Sequence, residues 1–291
     1  MAVKERLDKL LYDRGWVESR ARAQSLIIRG FFRVAGRVVT KPGTRVPVDA
    51  EIEWVRQPEP YISRGEIKLA HALDVFRVEV TGRVAVDIGA STGGFTHCLL
   101  ERGARRVYAV DVGRGQLDLR LRQDSRVVVM ERTNARYLSR DQIAEPIQLV
   151  TIDVSFISVT KVLPALLRLD FRGDAIVLVK PQFELSPRHV GRRGVVRRPG
   201  DWAAAVRTVV EAARGLGFSA HGVTPSPIRG AEGNQEFFVH LRYPASPEGL
   251  SETAFEATLN AAIGSLTSTG RPSGPPSPTP PVEGGRGCLQ L

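Results

Sequence analysis

The stretch that most constrains the fold is Val84-Ala85-Val86-Asp87-Ile88-Gly89-Ala90-Ser91-Thr92-Gly93-Gly94-Phe95-Thr96. A short apolar run ends in a carboxylate, a turn of small residues follows, and a helix-compatible segment begins at Phe95. Strand, tight loop and helix start, in that order, mark the place where an open α/β sheet holds a nucleotide-like ligand. Glycine serves such a loop twice. It accepts positive φ, and it lets backbone N–H groups approach a ligand with no Cβ between them. The same turn also occurs as a plain connection, so the stretch sets fold class before function.

Further apolar runs follow it. Arg83–Ile88, Arg106–Asp111, Val127–Met130, Ile147–Asp153 and Ala175–Lys180 read as strands of a buried parallel sheet. A helix over Trp202–Leu216 and strands over Ser219–Thr224 and Gln235–Leu241 come next. The last two strands are joined through Gly230 and Gly233, which predicts a hairpin and an antiparallel seventh strand. That order departs from dehydrogenase-type Rossmann domains and matches S-adenosylmethionine (SAM)-dependent methyltransferases. The predicted fold class is α/β, Rossmann-like, with a mostly parallel seven-stranded sheet.

Ahead of the sheet lies a small α+β module. Leu7, Leu10 and Leu11 recur at helical spacing within a region, 4–30, that reads as two helices. Ser19 is placed to cap the second helix, Gly30 ends it, and Ala21, Leu26 and Ile28 are its expected core positions. Short strands are expected at Phe32–Val34, Arg37–Val39 and Glu51–Val55. The pattern from Arg6-Leu7-Asp8-Lys9 through Ser19-Arg20-Ala21-Arg22 to Val34-Ala35-Gly36 resembles an S4 domain, a module that binds RNA. A small helical dimerisation domain is the alternative. The expected organisation is residues 1–57 for this module, 58–62 for a proline-bearing linker, 63–245 for the sheet domain and 246–291 for a tail. The tail is read as low-complexity and disordered, apart from a weak helix at Ser251–Leu266.

Composition narrows the partners. The net charge is +10 and the pI near 10.2, with arginine supplying most of the positive charge. Guanidinium groups pair with phosphate in a bidentate way, although a GC-rich genome also enriches arginine. No apolar run reaches the ~20 residues of a membrane helix, and no export signal is visible, so a cytoplasmic protein without integral membrane association is expected. The two cysteines, Cys98 and Cys288, and five histidines show no metal-ligand spacing.

Asp111 ends the second strand about twenty residues past the glycine turn, where a carboxylate hydrogen-bonds the ribose of an adenosine cofactor. The turn lacks the middle glycine that admits a pyrophosphate, which suits SAM better than NAD. Lys68 stands before the first strand, Asp153 ends the fourth, Lys180 ends the fifth, and Glu236 is placed in the last. C-terminal strand ends converge in such sheets, so Asp153 and Lys180 should meet across the cleft. Any one of the four alone reads as a solvated charge.

At these residues the chain resembles the TlyA family: an S4 domain fused to an FtsJ-like ribose 2′-O-methyltransferase domain. The matching blocks are Ser63-Arg64-Gly65 with Lys68-Leu69, Asp87 to Thr96, Glu131 to Arg136, Asp153 to Ser158, Val179 to Glu184 and Gly233 to Phe237. The resemblance implies SAM as cofactor, ribosomal RNA and ribosomal subunits as partners, cytidine ribose as target, and Lys68, Asp153, Lys180 and Glu236 as the catalytic tetrad. It places the cofactor on Asp87, Gly89, Ala90, Ser91, Thr92, Gly93, Gly94, Phe95, Asp111, Asn134 and Asp153. RNA is expected on Arg6, Lys9, Arg20, Arg22, Arg29, Lys41, Arg64, Arg192, Arg193 and Arg197. One departure is Glu66, where the family has a second glycine; it is expected to bring an extra carboxylate near Lys68. Lys180 is expected to orient and deprotonate the 2′-hydroxyl, with Lys68 favouring its neutral form. A membrane-active hemolysin, after the label some relatives carry, and a non-catalytic RNA-binding protein are the rival readings.

Overall fold

A computed structural model describes residues 3–17, 19–28, 30–55, 62–191, 194–230 and 233–268. The linker expected at 58–62 therefore lies almost wholly outside the described residues, as do Arg29, Arg192, Arg193 and the chain after 268.

The N-terminal module runs β1 (Lys4–Arg6), α1 (Leu7–Asp13), α2 (Arg20–Ile28), β2 (Phe32–Val34), β3 (Arg37–Val38), β4 (Arg45–Pro47) and β5 (Ile52–Trp54). Lys4–Arg6, expected to open a helix, is instead a strand paired antiparallel with β4, and the first helix begins only at Leu7. Ser19 Oγ accepts from Arg22 N (3.1 Å) and caps α2. That helix buries Ala23, Leu26 and Ile27, spaced i, i+3, i+4 on one face. Ala21 and Ile28 lie off that face and are exposed, against the sequence expectation. Leu7, Leu11, Ile27 and Phe32 form the core, with Trp16 stacked on Trp54 at 6.1 Å. The buried carboxylate of Asp8 accepts from Arg6, Gln24 and Arg20, and so ties α1 to α2.

The larger domain opens with α3 (Arg64–Phe76), whose first turn is capped by Ser63 Oγ accepting from Gly65 N (3.2 Å). It continues β6 (Val84–Ile88), α4 (Gly94–Glu101), β7 (Arg106–Val110), α5 (Leu119–Gln123), β8 (Val127–Met130), β9 (Leu149–Ile152), α6 (Leu163–Arg168), β10 (Gly173–Val179), α7 (Pro181–Glu184), α8 (Pro199–Gly215), β11 (Ser219–Pro225), β12 (Phe237–Tyr243) and α9 (Glu252–Ser268). The sheet order is β11-β12-β10-β9-β6-β7-β8. β12 runs antiparallel to both β10 and β11, while the β10, β9, β6, β7 and β8 neighbours pair in parallel. The expected hairpin is therefore present, and its second strand inserts between β10 and β11. Glu236 stands just before β12 rather than within it.

Alternation along the strands builds two cores. Val84, Val86 and Ile88 face the layer of α6, α8 and α9, whereas Ala85 faces Leu69, Leu73 and Leu99 of α3 and α4. α9 buries Phe255 and Leu259 in the first layer, and Arg207 binds Glu256 through two hydrogen bonds. The helix expected at Ser251–Leu266 is thus a packed part of the domain, which corrects the reading of 246–291 as a disordered tail over 252–268. Chain order reverses direction between β6 and β9, and this switch point opens the crevice where doubly wound sheets bind ligands.

Candidate active site

At the switch point β6 runs into Gly89, which has φ +88° and lies so close to β9 that a Cβ there would overlap the Asp153 carbonyl oxygen. The Val110 carbonyl accepts from both Gly89 N (2.9 Å) and Ala90 N (3.1 Å). Asp111 Oδ2 accepts from Ser91 N (2.8 Å), and its Oδ1 accepts from Gly113 N (2.7 Å). Asp111 therefore joins the loops after β6 and β7, and each of its oxygens keeps a further lone pair. A cavity of about 480 Å³ opens beside it, with Val110, Val112, Ala135 and Ile157 as apolar wall and Asp111 and Asn134 as polar groups. Gly89→Ala is expected to cost about 3 kcal/mol or more, from left-handed strain plus overlap with backbone. Gly115→Ala, at φ +68° facing open space, should cost only about 1 kcal/mol. Urea denaturation of both variants checks the difference, and equal losses would contradict it.

A second cavity, about 260 Å³, shares Gly89, Ser91 and Asp153 with the first. Ser63, Arg64, Lys68, Ala90, Thr92, Gly94, Phe95, Arg229 and Gly230 also line it. Lys68 Nζ lies 2.6 Å from Glu236 Oε2, with the side chains 12% and 3% exposed. Lys180 Nζ lies 2.6 Å from Asp153 Oδ1 and donates to Ser155 Oγ at 2.8 Å. The four charges expected at one sheet edge are thus two lysine–carboxylate pairs, and Asp153 and Lys180 meet as the strand ends required. Lys68 has its charge balanced by Glu236.

Two residues expected at the cofactor line neither cavity. Asp87 is fully buried and lines neither cavity. It accepts from Thr96 Oγ1 (2.7 Å) and Thr151 Oγ1 (2.9 Å), bracing α4 and β9 from below the loop. Burial pushes its carboxyl up to about 7, against the pull of those two bonds. Gly93 (φ +98°) is the N-cap of α4 and packs on Leu117 and Leu121. Glu66 likewise does not extend the site. It is buried in the first turn of α3, with Oε2 3.0 Å from His97 Nδ1 rather than on Lys68.

The expected RNA cations differ in availability. Arg6 and Arg20 both contact Asp8, and Lys9 contacts Glu5 and Asp13, although all three remain near half exposed. Arg22 is 20% exposed and lies 3.7 Å from Asp118 of the larger domain. Lys41, Arg64 and Arg197 are exposed, and Arg64 stands at the rim of the smaller cavity. Sequence reasoning missed Ser155, Arg229 and, above all, Phe156. The Phe156 ring is 92% exposed at φ +63°, on the wall of the larger cavity. An aromatic residue two places past the strand-end block Asp153-Val154 is the signal that points to it.

The family model for FtsJ-like methyltransferases matches residues 61–243, and that for the S4 domain matches residues 5–52. The chain belongs to the FtsJ-like methyltransferase family. Its TlyA-type relatives span both domains. The 16S/23S rRNA (cytidine-2′-O)-methyltransferase TlyA of Mycobacterium tuberculosis is 44% identical over 265 residues, covering 90% of this chain and 98% of that protein. Hemolysin A of Brachyspira hyodysenteriae is 38% identical over 238 residues, covering 81% and 99%. A solved structure from Streptococcus thermophilus, titled a hemolysin, superposes with TM-score 0.69 at 39% identity, covering 92% of this chain and 99% of that one. Two names thus attach to one methyltransferase family. Among the described residues no helix is long and apolar enough to cross a membrane.

Proposed function

We propose that this methyltransferase transfers the methyl group of SAM to a ribose 2′-hydroxyl of ribosomal RNA, at cytidine. The observation that carries the reading is the double pairing Lys68–Glu236 and Lys180–Asp153 beside an adenosine-sized cavity. The residues present fit SAM. The apolar wall suits adenine, Asp111 keeps lone pairs for ribose hydroxyls, and the joined smaller cavity, with the N-termini of α3 and α4 at its wall, suits a charged amino-acid tail. When bound, SAM supplies a methyl group on a positively charged sulfur, an electrophile that needs an aligned nucleophile.

The chain's own residues supply that alignment. Lys180, fixed by Asp153 and Ser155, orients the entering hydroxyl and takes its proton as the amine; Asp153 balances the ammonium so formed. Lys68, held by Glu236, fixes the opposite side of the ribose. Phe156 offers an exposed ring on which an unstacked base can lie. Residues 1–57 would hold the RNA and residues 63–245 the reaction, with α9 closing the fold. The names of the M. tuberculosis and Campylobacter jejuni relatives supply cytidine and ribosomal RNA. A membrane-lytic role gives neither pair a task.

The test is transfer of tritiated methyl from SAM to ribosomal subunits and to naked ribosomal RNA by the purified protein. Label in RNA is expected, and its absence on both substrates would contradict the proposal. RNA binding should be strongly salt-dependent. With about five phosphate contacts to single-stranded RNA, affinity falls about a hundredfold between 0.05 and 0.2 M salt. A change below threefold in filter binding would contradict a phosphate-reading surface.

A further inference from the structure

The segments that follow β9 and β10 are fastened together along their length. Lys180 Nζ reaches Asp153 and Ser155 at one end. In the middle the Phe156 and Phe183 rings meet, centroids 5.3 Å apart. At the far end one oxygen of Glu184 accepts from Ser158 Oγ (2.5 Å) and the other from Val159 N (2.9 Å). Ser158 Oγ in turn accepts from Thr160 N (3.2 Å), so this join also sets the short turn that follows.

Glu184 is unusual for a structural clamp. It is partly buried, and among the described residues both of its bonds come from neutral donors rather than from a cation. Burial raises its carboxyl above the usual glutamate range, and the two bonds oppose that rise. The sign for stability follows. The folded chain holds this proton more tightly than the unfolded chain, so stability falls as pH rises from the ordinary glutamate range through the raised value. The ionised form is thus the one that burial disfavours, and it stands at the join of two active-site segments. Local rules are broken in this way mainly at functional positions.

We propose that Glu184 is a positioning residue for the ribose methylation read above. It clamps the 153–159 segment onto α7, and so fixes Phe156 and Asp153 relative to Lys180. The inference rests on that reading of Lys180 and Asp153. Displacements of about 1 Å in such a site cost about a hundredfold in rate.

The experiment compares E184A, E184Q and Ser158→Ala in the full chain, measuring single-turnover methyl transfer to ribosomal RNA, SAM affinity, melting temperature and hydrogen exchange. E184A is expected to lower the transfer rate about 10- to 100-fold, with SAM affinity within threefold of the parent, and to speed exchange over 154–160. E184Q is expected to restore the rate to within about threefold, because its amide oxygen can accept from Val159 N while its amide nitrogen donates to Ser158 Oγ. E184Q should also melt no lower than the parent at pH 7.5, which separates positioning from loss of fold. Ser158→Ala removes one of the two bonds and should lower the rate by a smaller factor. If E184A does not fold, E184Q and Ser158→Ala decide alone. An unaffected Ser158→Ala would overturn the clamp. So would a folded E184A within threefold of the parent rate, or an E184Q as slow as Lys180→Ala. Lys180→Ala is the reference: if it stays active the catalytic reading has failed, and if it is inactive while E184A is normal only the clamp has failed.

Discussion

Lys180→Ala is expected to lower methyl transfer about 10²- to 10⁴-fold, the range a positioned general base contributes, with SAM affinity within threefold of the parent. Nζ of Lys180 is the group that can take the 2′-hydroxyl proton, since it is held by Asp153, which lines both cavities, and by Ser155, which lines the larger one. The contact with Asp153 is a close ion pair without hydrogen-bond alignment, whereas the bond to Ser155 is aligned. An entering hydroxyl can therefore take the place of Ser155 Oγ while Nζ stays beside Asp153; as the ammonium Nζ only donates to it, and once deprotonated it takes the hydroxyl proton. Lys180→Arg sharpens the test, because guanidinium keeps the charge opposite Asp153 but is not deprotonated in proteins. It should be as inactive as Lys180→Ala. Single-turnover rates with saturating SAM decide the matter, and an arginine variant retaining more than a tenth of the parent rate would remove Lys180 as the base.

Lys68→Ala should affect both stability and rate. It leaves the Glu236 carboxylate, 3% exposed, without its cation, and removing one partner of a buried pair costs about 3–5 kcal/mol. Replacing both partners, as Lys68→Met with Glu236→Gln, avoids the orphaned charge and should recover most of that stability. The double variant should still transfer methyl slowly, because neither new side chain holds the ribose by charge. Urea denaturation combined with single-turnover kinetics separates the two effects. A single Lys68→Ala variant that unfolds within about 1 kcal/mol of the parent would mean the pair is solvated and contributes little.

The fold was legible because each strand of the parallel sheet is a continuous apolar run, and Asp111, Asp153 and Lys180 each follow one of them. The pairing of Asp153 with Lys180 was legible from their strand ends, whereas that of Lys68 with Glu236 was not. Lys68 and Glu236 are 168 positions apart, and either alone reads as a surface charge. Where Glu236 meets Lys68 depends on where β12 inserts, a property of the whole sheet. Lys4–Arg6 was misread for the same reason, since its strand exists only through pairing with Arg45–Pro47. Asp87 is a different case. Alternation in β6 puts it on the same side as Ala85, inside the α3–α4 layer, so a period-two reading separates it from the exposed loop residues that follow. Glu66 shows the reverse difficulty: its proximity to Lys68 in sequence suggested an active-site charge, but a position about half a turn round α3 from Lys68 faces His97 of α4.

The most direct measurement of the central claim is the chemical identity of the methylated nucleoside. Ribosomal RNA treated with the protein and SAM would be digested to nucleosides and resolved by mass spectrometry, with Lys180→Ala as control. A site built from Lys68–Glu236 and Lys180–Asp153 predicts a ribose-methylated nucleoside, and the relatives' names make it 2′-O-methylcytidine, formed by the parent and absent with the variant. Methyl groups on a base, or 2′-O-methylcytidine formed equally by both proteins, would contradict it.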